Sequence, residues 1–232
     1  MVLFFIVDTS GSMDGSKIGA VNTAIREVIP EIKEMSDGNA DALIKIAVLE
    51  FSSGAHWKTP SGPVEANQFN WTNLDAAGVT DLGAAYKSLN DKLSTKAFMA
   101  EATGSFAPAL FLLSDGGPTD EWESALAQLK KNNWFKAAVK VAVAIGDDAD
   151  LDVLKEFTGS MEAVLVTHNA KTLMKMIKFV SVRASQVASK SSNAVDPSLD
   201  TGDQAKQDEL IQNLNEFREE IAAAPDIHDE DW

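Results

Sequence analysis

Two kinds of apolar segment alternate along the chain. Residues 2–7 (VLFFIV) form a short, unbroken run rich in β-branched and aromatic side chains. Residues 43–51 (LIKIAVLEF), 109–113 (ALFLL), 139–145 (VKVAVAI) and 163–166 (AVLV) are of the same kind. A strand with one wetted face alternates apolar and polar residues. Runs this continuous suit strands covered on both faces, as in a parallel sheet.

Between these runs the spacing becomes helical. Over 17–35, Ile18, Val21, Ile25, Val28, Ile29 and Ile32 share one face, with Pro30 inside as a candidate kink. Residues 82–93 repeat the pattern with Leu82, Ala85, Tyr86, Leu89 and Leu93, and 122–129 with Trp122, Ala125, Leu126 and Leu129. A short helix is predicted over 151–157 and a long one over 172–187. Strand and helix in alternation predict an α/β domain with a doubly wound, mostly parallel sheet and helices on both faces. Residues 54–79 break the rhythm with Gly, Pro, Asn and two Trp, and predict an edge hairpin followed by a long loop.

Beyond this body, expected over 1–188, residues 189–203 (SKSSNAVDPSLDTGD) read as a linker. A helical tail over 204–232 follows, with Leu210, Ile211, Leu214, Phe217 and Ile221 on one face. That stripe suits docking, on the body itself or on a partner.

The charge changes the list of partners. The 232 residues carry 20 Lys and Arg against 35 Asp and Glu, net −15. Residues 196–232 hold twelve of the acids and two of the bases, so the tail carries −10 and the body −5. With no basic surface, neither nucleic acid nor an anionic membrane is an expected partner. No cysteine is present, which removes disulfides, thiolate zinc sites and thiol nucleophiles. The first apolar run has no basic flank and ends in Asp8, so it reads as a buried strand rather than a leader. A cytoplasmic protein is the expectation.

The candidate chemistry lies where predicted strands end. The first run closes on Asp8-Thr9-Ser10-Gly11-Ser12, and the 109–113 run on Ser114-Asp115-Gly116-Gly117-Pro118-Thr119-Asp120. The loop before the 82–93 helix contains Thr80. Gly11 permits a sharp turn that lets Asp8, Ser10 and Ser12 converge. Open α/β sheets bind ligands beyond the carboxyl ends of their strands, where the strand order reverses. Two carboxylates and three hydroxyls there form an all-oxygen set, which suits Mg²⁺ or Mn²⁺, with Ca²⁺ also possible.

Asp8-x-Ser10-x-Ser12, Thr80 and Asp115 together resemble the metal-ion-dependent adhesion site (MIDAS) of von Willebrand factor A (VWA) domains. The resemblance spans about residues 1–187. It implies a Rossmann-like fold with one short antiparallel edge strand. It also implies metal ligation by Ser10, Ser12 and Thr80 directly, and by Asp8 and Asp115 directly or through water. The remaining position would go to water or to an acidic residue of a protein partner. A finer resemblance is to bacterial tellurium-resistance-type VWA proteins, which are encoded beside a kinase and a phosphatase. The Cys-rich zinc ribbon that some of these relatives carry has no counterpart here.

The expected function is therefore a non-enzymatic, metal-dependent protein-binding module in a bacterial stress-response or tellurite-resistance assembly. The alternative is a metal-dependent phosphatase or hydrolase using Asp8. Against it, Ser10 stands where the second Asp of haloacid-dehalogenase-type phosphatases would be. No P-loop, G-x-S-x-G elbow or nearby His base is visible either. Thr80 could also cap the 82–93 helix, and Asp120 and Glu121 suit a helix N-terminus. His56, His168 and His228 are scattered and read as structural or exposed. Trp57 and Trp71 read as loop or core anchors. A tail carboxylate (Asp226, Asp229, Glu230 or Asp231) reaching a neighbouring molecule's site is a further expectation.

Overall fold

The computed structural model describes residues 1–38, 43–100, 107–115, 117–188 and 201–223. The apolar runs become β1 (Val2–Asp8), β2 (Lys45–Ser52), β5 (Ala109–Ser114), β6 (Val139–Ile145) and β7 (Val164–Thr167). The irregular stretch adds β3 (Gly54–Trp57) and β4 (Val64–Glu65). The seven strands form one sheet in the order β3-β2-β1-β5-β6-β7, with β4 also on β2. β1 pairs in parallel with both β2 and β5, and β5–β6 and β6–β7 are parallel as well. β3 and β4 run antiparallel along the outer edge of β2.

Both faces of the sheet are covered, which explains the unbroken apolar runs. Along β1, Leu3, Phe5 and Val7 enter one core with α1 (Ser16–Asp37) and α6 (Ala170–Ala188). Val2, Phe4 and Ile6 enter the other. That second core is closed by α2 (Leu82–Lys92), α3 (Trp122–Leu129), α4 (Asn133–Ala137) and α5 (Leu151–Thr158). Pro30 does not break α1, which runs through it with the proline on the exposed side.

From β1 the chain moves to β2 on one side; β5, on the other, leads away to β6 and β7. The reversal therefore falls between β1 and β5, and the crevice at a doubly wound sheet's reversal is its usual binding place.

The tail helix α7 (Thr201–Ala223) begins inside the stretch read as linker and lies on the body. Leu210 and Leu214 are fully buried, and Phe217 stacks on Phe179 of α6 with ring centroids 3.9 Å apart. β7 pairs with β6 only from Ala142 onward. Just before that point the Gln207 side chain accepts from Lys140 N and donates to Lys140 O, both at 3.0 Å. Gln207 thus completes a strand edge that would otherwise expose backbone donors and acceptors. Arg218 donates to the carbonyls of Glu162 and Val164. The rest of the linker, His228 and the tail carboxylates Asp226, Asp229, Glu230 and Asp231 lie outside the described residues. Among the described residues no helix is long and apolar enough to cross a membrane.

Candidate metal centre

Asp8 is the last residue of β1 and Asp115 follows β5 directly, so the two carboxylates flank the reversal point. The chain then turns through a single 3-10 turn (Gly11–Met13) before α1 starts. The turn projects Ser10 and Ser12 toward Asp115. Ser10 Oγ and Ser12 Oγ lie 3.0 Å apart, and Ser12 Oγ donates to Asp115 Oδ1 at 2.7 Å. Three of the five predicted residues thus share one chain of contacts.

Asp8 is held from behind. Its Oδ1 accepts from Ser10 N at 2.8 Å and its Oδ2 from Ser114 Oγ at 2.6 Å. It has no exposed surface. Burial lifts its carboxyl above the ordinary aspartate range. The bonds from Ser114 and Ser10 pull back against that rise, and the Asp115 charge adds to it.

Thr80 arrives on a separate loop fastened to both others. Ala77 N donates to Thr9 O at 2.8 Å and Gly11 N to Gly78 O at 3.0 Å. Thr119 N donates to Thr80 O at 2.8 Å, and Thr80 N to Thr119 Oγ1 at 3.0 Å. Gly78 is required twice over: its φ is +87°, and a Cβ there would stand 2.5 Å from Ser53 Oγ. Capping of α2 falls to Asp120, whose carboxylate accepts from Gly83 N at 2.8 Å and Ala84 N at 3.0 Å. Asp120 therefore does sit at a helix N-terminus, on a helix distant in sequence.

Ser12 alone of the five is exposed; Asp8, Ser10, Thr80 and Asp115 are buried. The site opens on the Ser12 side. Among the described residues no group of three or more His, Asp or Glu could hold a metal, so hydroxyls must supply part of any shell.

Other sequence candidates take structural roles. Trp57 Nε1 donates to Ser88 Oγ, and its ring meets Phe4 and Phe98 edge-on. Trp71 Nε1 donates to Asn22 Oδ1. His56 is exposed on β3, and His168 pairs with Asp147 on the surface. Sequence reasoning missed four participants: Ser114, Thr119, Asn22, which pins Leu74 in the long loop, and Lys17. Lys17 Nζ reaches Asp115 Oδ2 at 2.6 Å.

The sequence profile of the von Willebrand factor type A domain matches residues 3–181, more than half of the chain. This chain belongs to the VWA family. Among solved structures, a von Willebrand factor type A protein from Catenulispora acidiphila is 20% identical, with a TM-score of 0.59 over 79% of this chain and 42% of its own. The ArnB paralog VWA2 from Sulfolobus acidocaldarius is 17% identical, with a TM-score of 0.54 over 77% and 44%. Proximal thread matrix protein 1 from the mussel byssus, described with a zinc-occupied MIDAS motif, is 17% identical, with a TM-score of 0.56 over 79% and 45%. This chain spans less than half the length of each of the three. No protein of curated function matches it.

The donor set of this VWA domain fits a small divalent cation. An octahedral shell with metal–oxygen bonds of ~2.0–2.1 Å sets neighbouring oxygens about 2.9 Å apart. The Ser10–Ser12 and Ser12–Asp115 oxygens, 3.0 and 2.7 Å apart, are close to that spacing. Every donor is a hard oxygen, as Mg²⁺ and Mn²⁺ prefer.

Proposed function

We propose that this VWA domain is a binding module that holds a divalent cation and uses it to grip an acidic residue of a protein partner. Ser10, Ser12 and Thr80 would offer hydroxyls, and Asp8 and Asp115 carboxylates, directly or through water. The observation that carries the reading is the single chain of oxygens from Ser10 through Ser12 to Asp115 at the sheet's reversal point. Mg²⁺ is the leading candidate, with Mn²⁺ and Ca²⁺ as alternatives. The zinc-occupied motif of the mussel relative supports a divalent ion in general.

When bound, the cation supplies a positive centre for an external carboxylate. This chain's residues do the rest. Ser114 and Ser10 N hold Asp8 in one orientation, so its carboxylate needs no ordering when the ion arrives. The Thr80 loop is tied through its backbone to both neighbouring loops. Two carboxylates do no more than balance the ion's own charge, and the three hydroxyls add none, so the shell carries no excess negative charge to repel an outside carboxylate at the remaining coordination position.

The same geometry argues against Asp8 as a hydrolytic nucleophile. It is fully buried, with both oxygens engaged. We place the module in the cytoplasm, in an assembly of the tellurium-resistance or stress-response type, with a kinase or phosphatase as a candidate partner; the sequence resemblance supports this.

The test combines Mn²⁺ titration calorimetry with partner capture in Mg²⁺ and then in EDTA. Wild type should bind Mn²⁺ and release its partner in EDTA. Asp8→Ala and Thr80→Ala should lose both properties while keeping native circular dichroism. Normal metal and partner binding by both variants overturns the reading.

A further inference from the structure

Lys17 is out of place by the usual rules. It lies in the first turn of α1, where unpaired N–H groups and the helix dipole favour anions and disfavour a lysine. Its ammonium nevertheless reaches 2.6 Å from Asp115 Oδ2. The Asp115 side chain has no exposed surface, and the Lys17 side chain is 16% exposed. With Ser12 on Oδ1 and Lys17 on Oδ2, both oxygens of this carboxylate are satisfied.

We infer that Lys17 is a tethered cation that stands in for the divalent ion, competes with it for Asp115, and so sets the site's metal affinity. This rests on the metal-binding reading above. First, a buried carboxylate with no counter-charge is strongly destabilising, and Asp8 carries a second carboxyl close by. Lys17 supplies that counter-charge when no ion is bound. Second, an ammonium and a divalent ion on one carboxylate repel each other at short range, where little water screens them. Third, lysine has a flexible four-carbon stem, and this one starts near the surface. Its charged end can move into water when the ion arrives, and the helix dipole assists the departure. Metal uptake is then an exchange of one cation for another on Asp115, with no buried charge left unpaired at either end.

The experiment uses the full chain, stripped of metal, with Mn²⁺ alone as the probe. Mn²⁺ affinity is measured for wild type, Lys17→Gln, Lys17→Met and Lys17→Arg. Removing the charge should tighten binding about tenfold or more in Lys17→Gln and Lys17→Met. Lys17→Arg keeps the charge and should bind no more tightly than wild type. In EDTA the two neutral variants should melt below wild type, and Mn²⁺ should raise their melting temperatures by more than it raises the wild type's. Lys17→Gln can still donate to Asp115, so it guards against Lys17→Met failing to fold. Wild-type uptake with no tightening in Lys17→Gln overturns this inference and leaves the metal site standing. Equal tightening in Lys17→Arg and Lys17→Gln also overturns it, because charge would not be the cause. No uptake by any variant overturns both readings.

Discussion

Asp8 shows how one residue ties pH to metal binding. Its carboxyl is raised above the ordinary value by burial, so the folded protein holds this proton better than the unfolded chain does. Without metal, the stability this provides is complete below the ordinary aspartate pKa. It is lost as pH rises through the raised native value. Metal binding has the opposite sign, because the ion needs the deprotonated carboxylate. Mn²⁺ affinity should therefore weaken as pH falls through that same window, with proton release on binding, and calorimetry in buffers of different ionisation heat would detect it. An affinity that stays constant as pH falls through that window would remove Asp8 from the shell. The convergence of Asp8, Ser10 and Ser12 was visible in five consecutive residues, because a strand end and a glycine turn bring them together. The role of Ser114 was not: its bond to Asp8 crosses 106 positions and depends on β1 and β5 being neighbours.

At the scale of elements, the helices are fastened to loops they do not follow in sequence. α2 starts with no cap from its own N-cap residue, and Asp120, which precedes α3, takes its first N–H groups. Gly83 leaves room for this approach, since a Cβ there would stand 2.8 Å from Asp120 Oδ2. Asp120→Ala should cost about 1–2 kcal/mol, as the loss of a helix cap does, read in urea denaturation. It should also weaken Mn²⁺ binding, because the Thr80 loop leads straight into α2. A loss of stability with unchanged metal affinity would show that the cap and the site are independent. Element types were legible from period alone: β6 matches its predicted bounds, and α1, α2 and α5 lie within a few residues of theirs. The start of α7 at Thr201 was missed because Ser, Asp and Gly there read as linker, whereas docking on the body outweighs that weak local preference.

At the scale of the whole molecule, α7 extends one core rather than standing apart. Leu210 and Leu214 have no exposed surface, and Gln207 and Arg218 satisfy backbone groups at the β6 and β7 edge. Leu214→Ala should cost about 2–5 kcal/mol, typical for a buried leucine, and shift the single unfolding transition of the entire chain. If α7 instead melted alone, with the sheet unaffected, it would be a separate unit. Metal acts on the same balance from the other end. An ion at 100 times its dissociation constant should stabilise the fold by about 2.7 kcal/mol, seen as a fall in melting temperature on adding EDTA.

The local pattern of the chain was enough to declare a parallel sheet between two helical layers, because burial on both faces leaves unbroken apolar runs. The resemblance of Asp8-x-Ser10-x-Ser12, Thr80 and Asp115 to a known motif marked five candidate ligands, of which the fold joins Ser10, Ser12 and Asp115 in one chain of contacts. Three matters were decided only by tertiary structure: that Lys17 meets Asp115 from 98 positions away, that Asp120 caps α2, and that α7 closes over β6. The reason is physical. Period and composition are set residue by residue, whereas these contacts depend on strand order and on how helices lie across the sheet, which no local stretch of sequence encodes.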